Sequence, residues 1–263
     1  MKVLFYLGHP AHFHLFKNVF FQLKKNNHKI FVLIKTKDIL EDLLKSHNIE
    51  YENILPEGRK DTKSGIAFGL LKRDIRMFSF CLRNRPDIMI GTSAEITHVG
   101  KILKIPSINV NEDDFDVVPL FANIGYPLAN SIVAPECCKT GKWEHKTIKY
   151  NGYHELAYLH PKYFLPNKEL IKDKIDISNP FYIIRFAKLT AHHDDGKTGI
   201  NYSIAKRIIE LLEPHGNIYI TSERELEKEF ERYRIQIDPI NIHHALYYAQ
   251  MYIGDSQTMT AES

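Results

Sequence analysis

Apolar residues in this chain come in short unbroken bursts, separated by stretches in which they recur every three or four positions. The burst Lys2–Leu7 has the form expected of a strand buried on both faces of a parallel sheet. Phe13, Phe16, Phe20 and Leu23 follow at spacings of 3, 4 and 3, the repeat of one helix face. The alternation continues with a strand over Lys29–Ile34, a helix over Asp38–His47 and a weaker strand over Tyr51–Leu55. A long helix comes next, its inner face assigned by the pattern to Ala67, Leu71, Ile75, Phe78 and Leu82, and Pro86 ends it. Asp87–Ile90 reads as a strand, Glu95–Leu103 as a helix and Pro106–Val110 as a strand. Asp114–Ile124 is expected to be helical around Pro119, and Ser131–Ala134 to be a strand. Strand and helix in strict alternation predict an α/β fold, a parallel sheet with helices on both faces.

From Gly152 to Pro180 the period is lost, and Pro161, Pro166, Pro180 and several aromatics appear instead. This stretch reads as a crossover, giving an N-terminal Rossmann-like lobe at 1–151, a linker at 152–179 and a second lobe at 180–263. In the second lobe Pro180–Phe186, Asn217–Thr221 and Met251–Gly254 are expected strands. Ile200, Ile204, Ile208 and Leu211 mark a helix, Glu223–Tyr233 a charged helix and Ile242–Ala249 a short one. The sequence ends at Ser263, about one turn into the helix expected after the last strand, so the second lobe is read as truncated and the chain as a fragment.

Composition narrows the picture. The chain has 263 residues, 44% of them hydrophobic and 25% charged, ordinary for a globular protein of two small lobes. A net charge of +3 is too small to argue for nucleic acid, although 14 histidines make the charge sensitive to mild acid. Cys81, Cys137 and Cys138 form no CxxC pair, which speaks against a disulfide framework or zinc-thiolate site and suits a reducing compartment. The apolar start is cut short by Gly8-His9-Pro10, so no signal peptide is read, and no apolar run is long enough to span a bilayer. A cytoplasmic location follows as the expectation.

Candidate chemistry gathers at strand ends, where open α/β sheets bind ligands. The last strand runs into Gly254-Asp255-Ser256-Gln257-Thr258, with Glu262 a little further on. Small hydroxylated residues opening a helix suit a diphosphate, with Glu262 placed for ribose hydroxyls; ordinary helix capping by Asp255 or Ser256 explains the same residues. The first strand exits into Gly8-His9-Pro10-Ala11-His12-Phe13-His14, where His9 or His12 is a candidate base or phosphate donor. The histidine spacing there does not suit a metal, and none is assigned. Glu95 and Glu112 follow other strand ends and could divide acid and base roles, or simply favour first helical turns.

Arg185 closes the first strand of the second lobe, where a phosphate would explain a cation. Lys188 and the run from His192 to Gly199 form a polar loop able to close over a ligand. Ser222 is placed to touch a base or phosphate, or to cap the helix with Glu225. His154-Glu155 sits at the lobe junction, placed to line the cleft. Lys72, Arg73, Arg76, Arg83 and Arg85 decorate the long helix, as a solvated face or as a docking surface for anionic lipid.

The turn from Gly254 to Glu262 resembles the nucleotide-binding turn in the second lobe of GT-B-fold proteins, among them bacterial UDP-N-acetylglucosamine 2-epimerases. Three stretches, Asn109–Asp114, Tyr150–Leu159 and Thr221–Leu226, resemble a related uncharacterised family of archaea and bacterial polysaccharide loci, and the resemblance spans essentially the whole chain. It implies two Rossmann-like lobes with a UDP-sugar in the cleft between them. Arg185, Ser222, Gly254, Asp255, Ser256, Thr258 and Glu262 would hold the nucleotide, and His9, His12, Glu95 and Glu112 would face the sugar. The epimerase turn has a Gly-Gly pair where this chain has Gln257-Thr258. Glycosyl transfer without a cofactor is the leading expectation, with 2-epimerisation and a non-catalytic nucleotide-sugar module as alternatives. A homodimer is compatible with each.

Overall fold

The computed structural model describes residues 1–58, 62–187 and 199–263. The chain divides into two compact units, Met1–Tyr163 and Phe164–Ser263. In the first unit the strands are β1 (Lys2–Leu7), β2 (Lys29–Lys35), β3 (Glu52–Leu55), β4 (Ile88–Gly91), β5 (Ser107–Val110), β6 (Ser131–Pro135) and β7 (Thr147–Tyr150). They lie side by side in the order β3-β2-β1-β4-β5-β6-β7, every neighbouring pair parallel. Between and after them come α1 (Pro10–Lys25), α2 (Leu40–Ser46), α3 (Lys63–Asn84), α4 (Glu95–Leu103), α5 (Pro119–Gly125) and the short α6 (Leu156–Leu159).

The chain builds outward from β1 to β3, and α3 then carries it back across the sheet to β4, from which it builds outward the other way. The direction therefore reverses between β1 and β4, adjacent strands in which Tyr6 pairs with Gly91. Gly91 is required there, because a Cβ would stand 2.8 Å from the Tyr6 carbonyl oxygen.

β1 shows why its sequence is apolar without interruption. Leu4 and Tyr6 pack with Met77 and Phe80 of α3 and with Ile96 and Val99 of α4. Phe5 faces the opposite side, its ring 5.3 Å from Phe16 and 4.6 Å from Phe20 of α1. Burying each such side chain is worth about 1.5–3 kcal/mol.

The second unit holds β8 (Phe181–Phe186), β9 (Asn217–Ser222) and β10 (Met251–Gly254), parallel and in the order β10-β8-β9. Its helices are α7 (Tyr202–Leu212), α8 (Ile242–Tyr248) and α9 (Gln257–Glu262). Ile184 and Phe186 pack with Ala205 and Ile209 of α7. Phe181 and Ile183 pack with Ala245 and Leu246 of α8 and with Met259 of α9. Here too the direction reverses, this time between β8 and β10.

Some elements differ from the pattern reading. On α3 most of the predicted inner stripe faces solvent, with Leu71 55%, Ile75 57% and Leu82 54% exposed, while Phe78 packs partly against the core. The buried face is instead Gly69, Arg73, Met77, Phe80 and Cys81. α3 carries apolar residues on two faces, and the charged Arg73 disguises the one that is buried. On α7 the inner face is likewise offset, with Ala205 and Ile209 buried and Ile204 and Leu211 exposed. β7 went unread because its residues are at most half-buried, so no continuous apolar run marks it. The expected helix over Glu223–Tyr233 is absent except for a single 3-10 turn at Glu231–Tyr233. Leu226 and Phe230 are drawn into the core, and the Ile235 N–H donates to the Ile220 carbonyl. Among the described residues no helix is long and apolar enough to cross a membrane.

Arg73 is only 6% exposed because its Nε donates to Glu95 at the start of α4, itself 3% exposed. Beside this pair, His98 Nδ1 lies 3.0 Å from Asp74 Oδ2, a hydrogen bond that raises the His98 pKa. Breaking a buried ion pair from one side typically costs about 3–5 kcal/mol, whereas replacing both members with apolar residues is often neutral. Glu95→Gln is therefore expected to lower unfolding stability in urea by about 3–5 kcal/mol, with Arg73→Met/Glu95→Leu recovering most of the loss. A Glu95→Gln variant as stable as the parent would contradict this role.

Candidate functional site

At the exit of β1 the chain turns through Gly8 into α1. His9 caps the helix, its Nδ1 accepting the Ala11 N–H at 3.2 Å, and Pro10 opens the first turn. The Gly8 N–H donates to His12 Nδ1 at 3.0 Å. That bond occupies the Nδ1 lone pair, so the ring proton resides on Nε2. Thr92, just beyond β4, brings its Oγ1 to 2.9 Å from both ring nitrogens. Burial, followed by repulsion from the neighbouring titratable groups of His9, Lys35 and His154, holds the His12 pKa well below its ordinary value. His12 is thus a neutral imidazole with a donor at Nε2, seated where the chain direction reverses between β1 and β4.

The other wall comes from the ends of β5 and β7. Asn111 is buried, and its Nδ2 donates to Tyr126 Oη at 2.7 Å and to the Asp113 carbonyl at 3.0 Å, fixing the loop after β5. The Cys138 thiol donates to the Glu112 carbonyl, which anchors that backbone. The Glu112 carboxylate then reaches out, Oε2 lying 3.1 Å from His154 Nδ1. His154 follows Gly152, whose φ of +153° is an angle that side-chain-bearing residues rarely adopt. Its ring lies parallel to Tyr150 at 6.4 Å, and it is only 8% exposed. His154 Nε2 is buried without a hydrogen-bond partner.

His12, Thr92, Asn111, Glu112, Asp113 and His154 line one recess of about 170 Å³, with Val110, Val118 and Phe121 supplying an apolar wall. Sites that enclose a whole drug-sized ligand typically measure about 300–1,000 Å³. The recess therefore suits the reacting part of a ligand rather than all of it.

Two of the predicted first-lobe residues, His12 and Glu112, meet in this recess. His9 stands beside it with its ring 6.0 Å from that of His12, and Glu95 lies apart, against Arg73. In the second unit Arg185 and Gly254 are register partners at the ends of β8 and β10. An Arg185 terminal nitrogen donates to Glu223, while Arg185 Nε is buried without a partner. Asp255 accepts the Ala187 N–H at 2.6 Å and the Ile200 N–H at 3.0 Å, so its carboxylate ties together the segments around this reversal point. Ser256 caps α9, and Thr258 is half-buried in its first turn. Ser222 bonds to Arg224 instead of capping a helix. Glu262 Oε1 lies 3.1 Å from His243 Nε2, both side chains 6% exposed. Lys188 and residues 192–198 lie outside the described residues. Among the described residues no group of His, Cys, Asp and Glu could hold a metal ion.

The Thr92–His12 and Glu112–His154 pairings escaped the sequence reading. One signal was available for His154: had Thr147–Tyr150 been read as a strand, His154 would have stood at a strand end like the other candidates.

His12 gives a pH test. A histidine with a depressed folded pKa lets the unfolded chain bind more protons, so its contribution is present above the unfolded value of about 6.5 and is lost as pH falls toward the folded pKa. Urea midpoints from pH 7.5 down to 5 should fall more steeply for the parent than for His12→Asn, whereas parallel profiles would contradict the assignment.

The whole chain, residues 1–263, matches the family described as protein of unknown function DUF354, and it belongs to that family. No curated protein matches it. Solved structures with similar folds include Staphylococcus aureus MnaA with UDP, at TM-score 0.69 and 12% identity over 99% of this chain and 76% of that one. UDP-GlcNAc 2-epimerase of Methanocaldococcus jannaschii, in complex with UDP-GlcNAc and UDP, aligns at TM-score 0.68 and 15% identity over 100% and 81%. The spinosyn rhamnosyltransferase SpnG with spinosyn aglycone aligns at TM-score 0.60 and 12% identity over 99% and 78%. The chain thus has the α/β, GT-B-like fold found in both epimerases and glycosyltransferases.

Proposed function

We propose that this protein is a UDP-sugar-dependent glycosyltransferase, with the second unit taking the nucleotide diphosphate and the first-unit recess carrying out the chemistry. One observation carries the reading: in each sheet candidate residues stand where the chain direction reverses, His12 at β1/β4 and Arg185, Gly254 and Asp255 at β8/β10. In open parallel sheets that is the position of ligand sites. The occurrence of UDP or UDP-GlcNAc in solved proteins of the same fold supports a UDP-sugar as the ligand.

The roles follow from the side chains. Arg185 offers an unpartnered Nε beside its pairing with Glu223, and Ser256 and Thr258 add hydroxyl donors. Fixed donors of this kind stabilise negative charge as it develops on a departing diphosphate. In the recess, Glu112 and His154 supply a carboxylate–imidazole pair of the kind that serves as a general base. Epimerisation at a sugar carbon requires proton removal and return on opposite faces. Glu95, which would be the second carboxylate, is instead engaged by Arg73, and this favours transfer.

Thermal unfolding with UDP, UDP-sugars and AMP tests the nucleotide assignment. A ligand specific for the folded chain stabilises it by about 2.7 kcal/mol at a hundred times Kd. The expected result is a shift selective for UDP compounds that Arg185→Ala abolishes. Release of UDP from a UDP-sugar, without solvent deuterium appearing at sugar C2, is expected of transfer. Deuterium at C2 would establish epimerisation instead, and the absence of any UDP-dependent shift would contradict the proposal.

A further inference from the structure

Two histidines, His154 buried and His12 half-buried, line one recess from different strand ends, and their surroundings impose opposite tautomers. His12 Nδ1 accepts the Gly8 N–H, which leaves Nε2 as a donor. His154 Nδ1 lies 3.1 Å from the Glu112 carboxylate, an acceptor-only group that favours a proton on Nδ1 and a lone pair on Nε2. His154 Nε2 is the atom that is buried without a partner. Leaving such an atom unsatisfied is unfavourable, and a ligand donor that bonds to it removes the penalty on binding. Thr92 holds the His12 ring, and the parallel Tyr150 ring holds that of His154.

We propose that His154, oriented by Glu112, is the proton acceptor of this recess and that His12 is its hydrogen-bond donor, so the recess recognises a hydroxyl-bearing acceptor. The chemical step rests on the glycosyl-transfer reading above. His154 Nε2 takes the proton of an acceptor O–H as that oxygen bonds to the anomeric carbon. The carbon–oxygen bond to the diphosphate breaks with its electron pair leaving on the diphosphate. The imidazolium formed on His154 is stabilised by the Glu112 carboxylate and then releases its proton to water. His12 cannot serve as this base, because its Nδ1 lone pair is already bound to the Gly8 N–H; its Nε2–H, which has Thr92 Oγ1 at 2.9 Å, is the donor that an oxygen of the acceptor or sugar would take over from that hydroxyl. Glu112 acts through His154 and is a positioning residue.

The tautomers can be read directly. Long-range nitrogen–proton correlation spectra of the whole chain, labelled with 15N-histidine and recorded at pH 8, distinguish protonated from bare ring nitrogens. Spectra of His12→Gln and His154→Gln identify the two rings by subtraction. The expected result is an Nε2–H tautomer for His12 and an Nδ1–H tautomer with bare Nε2 for His154, with Glu112→Ala removing the preference at His154. A proton on His154 Nε2 in the parent, or a His154 tautomer indifferent to Glu112→Ala, overturns the proposal. With a UDP-sugar, His154→Gln is expected to lower kcat by about 10²–10⁴ at little-changed KM, and retained kcat in a parent that turns over also overturns it. The expected tautomers in a chain that releases no UDP from any UDP-sugar would uphold the donor–acceptor pair and overturn the transfer reading instead.

Discussion

Parallel strands cannot be joined by tight turns, so every strand in this chain must be followed by a crossover before the next can pair. A sheet built in this way can grow in one direction only until the chain turns back past its first strand. In the first unit that return is made by α3, and it leaves β1 and β4 as neighbours whose following segments depart on different courses. The gap at their carboxyl ends is a consequence of connectivity, before any side chain is considered. His12 and Thr92 occupy it, and the loops after β5 and β7 bring Glu112 and His154 to the same recess. The second unit repeats the arrangement with fewer strands, setting Arg185 and Asp255 about the reversal between β8 and β10.

Charged residues of the first unit serve in part to hold its helices together. Arg73 and Glu95 neutralise each other where α3 and α4 pack, and Asp74 and His98 form a second link between the same helices. These pairs tie α3 to α4 and do not line the recess, which holds the His12 imidazole and the Glu112–His154 pair. Asp255 has a comparable supporting part in the second unit, where two backbone N–H groups use its carboxylate. An acidic residue at a strand end can thus be structural or chemical, and its hydrogen-bond partners distinguish the two.

The α/β class and GT-B-like fold were legible because strands buried on both faces leave uninterrupted apolar runs. Lys2–Leu7 and Met251–Gly254 coincide with the observed β1 and β10. The inner faces of α3 and α7 were not legible, since each helix carries apolar residues on more than one face and only tertiary packing chooses between them. On α3 that choice buries Arg73, whose partner lies 22 residues away. His12 could be singled out from its strand-end position alone. Its contact with Thr92, 80 residues distant, could not, because nothing local in the sequence encodes it. His154 could be singled out from its place at the lobe junction, but not as a strand-end residue, because β7 is an edge strand too exposed to leave an apolar signature.

The central claim, that nucleotide recognition sits at the reversal point of the second sheet, is tested most directly by mapping backbone amide shifts of the whole chain on titration with UDP. The account predicts saturable changes centred on Arg185, Gly254, Asp255 and Ser256 at the ends of β8 and β10. Changes centred elsewhere in the chain, or none at millimolar UDP, would contradict it.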